Sequence, residues 1–349
     1  MRKLISVGGR SIGRGSPVFI IAEIGSNHDA SLKRAKEMID ASVYAGADAV
    51  KFQSFTAGGL LNPLKKNGDG GWAPHPAYNI IEKLTLPEEW HKALFEYSAQ
   101  KGIIFLSAPF DSGRAALLNS IGVPAFKIAS GDLTNLPLLK QVASYGRPVI
   151  LSTGASYLEE VKAAVNALKN EGTVELALMH CASLYPPSYE DVNLKAMVTL
   201  RDEFNCPVGF SDHTPGSSAA IAAVALGASI IEKHLTLNRT LKGPDHPYAM
   251  EVEEFKSMVK ETRNIEKALG SGIKKPSDKE MDERVGARRS IYASMDIKKG
   301  ERIEENMLKL VRHAIGLKPE EFPRVVGKRA QRDIQRDTIV QMEDICQQA

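Results

Sequence analysis

Cysteine is scarce: Cys181, Cys206 and Cys346 stand far apart, with no CxxC pair and no even framework, so structural disulfides are not indicated. That usage fits a reducing cytoplasm. Long apolar runs are also missing, since nothing approaches the roughly 20 residues of a membrane helix. Gly, Arg and Ser interrupt the N-terminal MRKLISVGGR before a signal-peptide core can form. An excess of one charge is lacking too: 45 basic against 42 acidic residues leave a net charge of +3, which implies no polycationic surface and no nucleic-acid partner.

What the chain does have is an ordinary globular composition, 43% hydrophobic over 349 residues, enough for one large domain with a smaller companion. Eight short apolar, β-branched runs recur, each bounded by Gly, Pro or a polar turn. They are VFIIAEIG (Val18 to Gly25), AVKFQSF (Ala49 to Phe55), IIFLSAP (Ile103 to Pro109), AFKIAS (Ala125 to Ser130), PVILSTG (Pro148 to Gly154), ELALMHCA (Glu175 to Ala182), PVGFSDH (Pro207 to His213) and SIIEKHLT (Ser229 to Thr236). Near-continuous hydrophobicity is what a parallel strand buried on both faces requires.

Between the runs lie helical periods, with apolar stripes such as Leu32, Ala35, Ile39 and Val43, then Trp90, Leu94 and Tyr97, and later Val252, Phe255, Val259 and Ile265. Eight such repeats predict an α/β fold, a closed (β/α)8 TIM barrel over residues 1–270, with an open doubly wound sheet as the alternative. A polar, Gly/Pro-punctuated stretch over 271–286 reads as a linker, and 287–349 as a small, mostly β module. Within it Asp296-Ile297-Lys298-Lys299-Gly300 is echoed by Asp333-Ile334-Gln335-Arg336-Asp337. A module that small is marginal alone, so packing on the barrel or on a second subunit is expected. The insert Thr56 to Pro87 reads as an active-site loop.

Polar residues collect where the strands end, the face on which barrels of this type build their sites. Glu23 ends the first; Lys51 and Gln53 share a side of the second; Lys127 and Ser130 end the fourth, Ser152 and Thr153 the fifth. His180 and Tyr185 flank the sixth, Ser211, Asp212 and His213 close the seventh, and Glu232 and His234 face one way on the eighth. Uncompensated charge among buried strands is costly, which favours function over packing.

His213 and His234, on neighbouring strands, are placed to share one divalent ion, and the open oxygen positions left point to Mn²⁺, Mg²⁺ or Fe²⁺. The alternative is a pair of hydrogen-bonded core histidines. Lys51 and Lys127 call for an anion, phosphate or carboxylate, with hydroxyls of Ser130, Ser152 and Ser211 donating to it. Their alternative is pairing with Glu23 or Glu232. His75 and His91 read as solvated or satisfied, and Cys181 as a small buried strand-end residue.

Read in order, AEIGSNH, AVKFQ, KIASGD, LSTG, HCASLYP, GFSDHT, IEKHLTL and GPDH resemble the N-acetylneuraminate (sialic acid) synthase family. ARRSIYA, DIKKGERI and LVR are similar to the antifreeze-like (SAF) domain those enzymes carry. The resemblance implies a cytoplasmic, metal-dependent transferase that condenses phosphoenolpyruvate with an N-acylated aldose, N-acetylmannosamine, its 6-phosphate or a 2,4-diacetamido sugar, with C–O cleavage. It implies Mn²⁺ or Mg²⁺ on His213 and His234. Lys51, Lys127, Ser130, Ser152, Ser211 and Tyr185 would line the phosphoenolpyruvate and adjoining site, with Glu23 near the reacting carbons. Gln53, Glu232 and Asp245 would serve the sugar, and Arg312 would arrive from the other subunit of a domain-swapped homodimer. Two positions depart from the family pattern, Ser183 where Asn is common and Ala108 in place of Thr, so one phosphate contact is missing or replaced. Two rivals stand beside this reading: a Schiff-base aldolase using Lys51, Lys127 or Lys233, and a non-enzymatic carbohydrate-binding protein.

Overall fold

The structure is a computed structural model that describes residues 3–173 and 175–346. It divides into two compact units, Met1–Gly270 and Ser271–Ala349. The eight apolar runs become eight parallel strands: β1 (Phe19–Gly25), β2 (Ala49–Ser54), β3 (Ile104–Pro109), β4 (Phe126–Ile128), β5 (Val149–Ser152), β6 (Leu176–Cys181), β7 (Val208–Asp212) and β8 (Ile230–Thr236). Their order, β3-β2-β1-β8-β7-β6-β5-β4, is cyclic, with β3 and β4 side by side at the seam. That circle is the barrel rather than the open sheet. Among the described residues the seam carries no registered ladder.

Because side chains alternate across a strand, each strand sends one set inward and one outward. Ile20, Ala22 and Ile24 of β1 join the layer beneath the helices. Phe19 and Ile21 point inward and pack with Ala49, Leu106, Ile150, Ala177, Met179 and Ile230. The same inward rows continue upward as Glu23, Lys51, Lys127, Ser152, Ser211, Glu232 and His234, so the lumen is apolar below and ionic above. A β-hairpin, Leu4–Val7 against Arg10–Gly13, presses Ile5, Val7 and Ile12 into the apolar end. Gly209 occupies an inward position of β7 where a Cβ would sit 2.6 Å from the Cβ of Ile230, so only glycine fits.

Helices follow each strand: α1 (Leu32–Ala45), α2 (Glu88–Gln100), α3 (Ser112–Ile121), α4 (Leu136–Ser144), α5 (Leu158–Asn170), α6 (Lys195–Phe204), α7 (Ser218–Ala225) and α8 (Val252–Leu269). Ser31 and Asp111 cap α1 and α3 by accepting from Arg34 N and Arg114 N, and both helices stop at a left-handed glycine, Gly46 and Gly122. The stripes sit slightly rotated from the apolar pattern. In α1 the buried position is Ser42, whose hydroxyl donates to Met38 O at 2.7 Å, while Val43 is exposed. In α2 His91 and Ser98 are buried beside Leu94, with Trp90 and Tyr97 only half-buried. In α8 Met258 and Thr262 join Phe255 and Val259. A polar side chain that bonds its own helix is invisible to a hydrophobicity pattern.

The second unit contains a short helix, Met281–Ala287, in the stretch that reads as a linker. Among its described residues only two strands form, β9 (Arg289–Ala293) and β10 (Leu308–Arg312), antiparallel; isolated bridges and turns complete a core of Ile291, Ile297, Ile303, Val325, Ile334 and Val340. The internal repeat folds onto itself. Ile297 and Ile334 exchange both backbone bonds at 2.8–2.9 Å, Asp333 accepts from Lys299 N, and Asp296 reciprocally accepts from Arg336 N.

Candidate active site at the C-terminal rim of the barrel

The upper, ionic part of the lumen opens into a cavity of about 500 Å³. Glu23, Lys51, Gln53, Lys127, Ser130, Ser152, Tyr185, Ser211, His213, Glu232 and His234, all marked in the sequence, line it together. The two remaining candidates do not. Asp245 lies behind the wall, where Oδ2 accepts from Ser26 N and Oγ and Oδ1 accepts from Tyr248 OH, so its carboxylate holds a loop in place instead of facing the lumen. Arg312 is exposed at the end of β10 in the second unit.

Lys51 Nζ lies 2.8 Å from Glu23 Oε2 and 3.6 Å from Glu232 Oε1, and Lys127 Nζ lies 3.9 Å from the same Glu232 oxygen. Convergence in one cavity and pairing with the two glutamates are therefore both present. Lys127 also donates to Ser152 Oγ at 2.5 Å, Ser211 to Glu232 Oε1 at 2.9 Å, and Gln53 Nε2 to Glu23 Oε1 at 2.8 Å.

Burial disfavours every charge here, and neighbours decide which survive. Glu232 is desolvated, yet Lys127 and Lys51 outweigh that and hold its carboxyl at about 2. For Glu23 burial wins over Lys51, and the Glu232 charge adds to it, so its carboxyl sits above the ordinary range. Lys51 is desolvated but held above its ordinary value by Glu23 and Glu232; Lys127, desolvated and beside Lys51, is pushed down. Two ammoniums facing one firm carboxylate and one drawn toward neutrality make a floor suited to an anion.

His213 and His234 stand with ring centroids 5.4 Å apart. Burial pushes both to about 4, at His234 against the nearby Asp245 carboxylate, so both are neutral with lone pairs available. The Nδ1–H of His213 donates to Ala182 O at 3.0 Å, which leaves Nε2 as the free acceptor. His234 Nδ1 is buried without a hydrogen-bond partner, as is Glu232 Oε2. Orphaned acceptors beside neutral imidazoles fit a divalent cation. Among the described residues no group of three His, Cys, Asp or Glu side chains has metal-site geometry, so the protein's share would be the two imidazoles.

Other polar residues face elsewhere. His180 sits on the helix side of β6 and its Nε2–H donates to Val192 O at 2.7 Å. Lys233 and Asp212 pair at 2.7 Å outside the lumen, which removes Lys233 as a nucleophile in this cavity. His91 is fully buried and bonds Ser54 Oγ at 2.7 Å, a satisfied histidine. The 56–87 insert forms a short hairpin and two short helices, and none of its residues lines the cavity. Ala108 does not line it either, whereas Ser183 does.

Two residues escaped the sequence reading. Tyr248 stacks edge-on to His234 at 5.0 Å and lies 5.4 Å from Tyr185; only its place just after GPDH marked it. Gly154 donates its N–H to Ser130 Oγ at 2.9 Å, and a Cβ there would lie 2.5 Å from Cys181 Sγ and closer still to Ser183 Oγ. Its bare backbone is what lets three polar side chains meet beside Lys127.

The NeuB family profile matches residues 38–274, and the SAF domain profile matches residues 288–345. The N,N'-diacetyllegionaminic acid synthase of Legionella pneumophila is 44% identical over 342 residues, 95% of this chain and 96% of that protein. The synthase of the same name from Campylobacter jejuni is 40% identical over 332 residues, 92% of this chain and 98% of that protein. Among solved structures, the N-acetylneuraminic acid (sialic acid) synthetase of Leptospira borgpetersenii in complex with citrate superposes with a TM-score of 0.74 at 38% identity, covering 81% of this chain and 95% of that one.

Proposed function

We infer, for a chain that belongs to the NeuB family and carries an SAF domain, that the rim cavity condenses phosphoenolpyruvate with an N-acylated aldose to a nonulosonic acid and phosphate. One observation carries this reading: two buried lysines with serine hydroxyls sit in the same cavity as two neutral imidazoles. A volume of about 500 Å³ suits a three-carbon phosphoester together with a sugar. Relatives named for a diacetylated product support an acceptor with two acetamido groups.

Lys127, Ser130 and Ser152 would hold the phosphate, and Lys51 with Ser211 the carboxylate, each ammonium exchanging Glu232 for the incoming anion. Fixing both ends aims the enol carbon at the aldehyde. A divalent ion, Mn²⁺ or Mg²⁺, held by His213 and His234 would supply Lewis-acid polarisation of the aldehyde oxygen. Tyr185, 4.4 Å from the His213 ring, closes the acceptor side. As C3 of phosphoenolpyruvate bonds to the aldehyde carbon, positive charge develops at C2. Glu23, positioned by Gln53, would stabilise that charge and take the proton of the water that adds there. The C2–O bond then breaks as the new C2 hydroxyl gives up its proton, phosphate leaves with the bridging oxygen and that proton, and the proton taken by Glu23 ends on the former aldehyde oxygen. A domain-swapped homodimer in which Arg312 serves the other protomer's acceptor belongs to the same proposal.

Phosphate release from phosphoenolpyruvate with N-acetylmannosamine, its 6-phosphate and 2,4-diacetamido sugars, each with Mn²⁺ or EDTA, tests the reading. Acceptor-dependent release abolished by EDTA is expected. The burial-lowered pKa of Lys127 favours the Schiff-base rival; that rival requires activity that survives EDTA and a lysine adduct trapped by borohydride.

A further inference from the structure

A second cavity, about 630 Å³, lies behind the first between the start of α5, the end of β6 and the start of α6. The two share three lining residues, Ala155, Ser156 and Cys181. This common wall adjoins the phosphate end of the first cavity: Cys181 Sγ is 3.1 Å from Ser130 Oγ, and Gly154, next to Ala155, bonds that same hydroxyl. The opposite end, where Tyr185 and the imidazoles stand, is where the acceptor and then the sugar acid would sit.

The two cavities differ in charge. Glu23, Glu160 and Glu232 line the first. Among the described residues no carboxylate lines the second, in a chain with 42 acidic residues; it presents Lys195 with Ser156, Asn193 and Thr199. Nearby, α6 begins without a side-chain cap. A phosphate dianion at Lys127 faces Glu23 and Glu232 across the first cavity, and beyond Glu160 at the start of α5 it meets a cation and hydroxyls.

We propose that the second cavity is the exit site for inorganic phosphate, which passes the wall at Ser156 and is held by Lys195 before reaching solvent. This rests on the proposed synthase reading, because it needs phosphate to be formed in the first cavity. Lys195 and Thr199 are exposed on α6 and neither lines the first cavity, so substitution there leaves the chemistry intact.

The test is a single turnover in which total phosphate, from acid quench, is compared with free phosphate, from a phosphate sensor, in the wild type, Lys195→Met and Thr199→Trp. Total phosphate should form at the wild-type rate in all three. Free phosphate should lag it by about tenfold in both variants, one losing the cation and the other filling the passage, since product release then limits turnover. Free phosphate that follows total phosphate in both variants as it does in the wild type overturns the exit site and leaves the synthase reading standing. Absence of any phosphate in the wild-type quench overturns the synthase reading and the exit site with it.

Discussion

Lys51 and Glu23 face each other across 2.8 Å on adjacent strands, each almost completely removed from water. In the proposed reaction the pair divides two tasks, holding an anion and handling a developing positive charge, so its members should fail differently. Lys51→Met is expected to raise KM for phosphoenolpyruvate by about 100-fold, on the order of 3 kcal/mol for a lost charge-assisted contact. Glu23→Gln, which keeps the shape, should leave that KM within a few-fold and lower kcat. Steady-state kinetics of both variants check the division, and equal effects of both on KM alone would contradict it.

The imidazole pair should control metal content. His213→Gln and His234→Gln are each expected to weaken Mn²⁺ binding by more than the ~10–100-fold that loss of a supporting partner costs at a metal site. Equilibrium dialysis with metal analysis reads this without reference to activity. Undiminished Mn²⁺ binding in both variants would leave the histidines as core residues.

Gly154→Ala introduces a methyl among Ser130, Cys181 and Ser183. Overpacking of this kind costs ~1–3 kcal/mol, and displacement of Ser130 should raise KM for phosphoenolpyruvate as well. Adding Ser183→Ala removes the nearest obstruction and should restore part of both losses, a coupling that a double-mutant cycle measures. Strictly additive losses would place the strain elsewhere.

His28 gives a pH dependence separate from the metal pair. It is 2% exposed, its Nδ1 accepts from Ala30 N, and burial pushes it to about 4 despite Asp29 and Asp245. Between that value and the unfolded 6.5 the unfolded chain binds the extra proton, so stability is full above about pH 6.5 and falls as the pH drops toward 4. From pH 7.5 to pH 5 the loss from this one group is about 2 kcal/mol. Urea unfolding of His28→Asn at both pH values should show a correspondingly smaller drop than the wild type.

Much of this was legible in the sequence because burial on both faces forces an unbroken apolar run, and the few charges such strands carry toward the lumen gather around one cavity. Lys51, Lys127, Glu232 and His234 stood out for that reason. Less visible were contacts that depend on shape. Gly154 matters through the side chain it lacks, and Ser42 packs inward because its hydroxyl bonds its own helix. Asp245 was assigned by resemblance to the sugar, yet its oxygens are taken by Ser26 and Tyr248, a tertiary contact no local pattern encodes. The insert Thr56 to Pro87 reads as an active-site loop, but its Trp72 is largely exposed and none of its residues lines the cavity.

The most direct test follows the oxygen that bridges carbon and phosphorus. Phosphoenolpyruvate labelled with ¹⁸O at that position is incubated with Mn²⁺ and a 2,4-diacetamido aldose, and phosphate and sugar acid are weighed by mass spectrometry. Label in the phosphate, with an unlabelled acid three carbons longer than the acceptor, is the predicted result. Label retained in the sugar acid, or phosphoenolpyruvate left unconsumed with every acceptor in the panel, would contradict it.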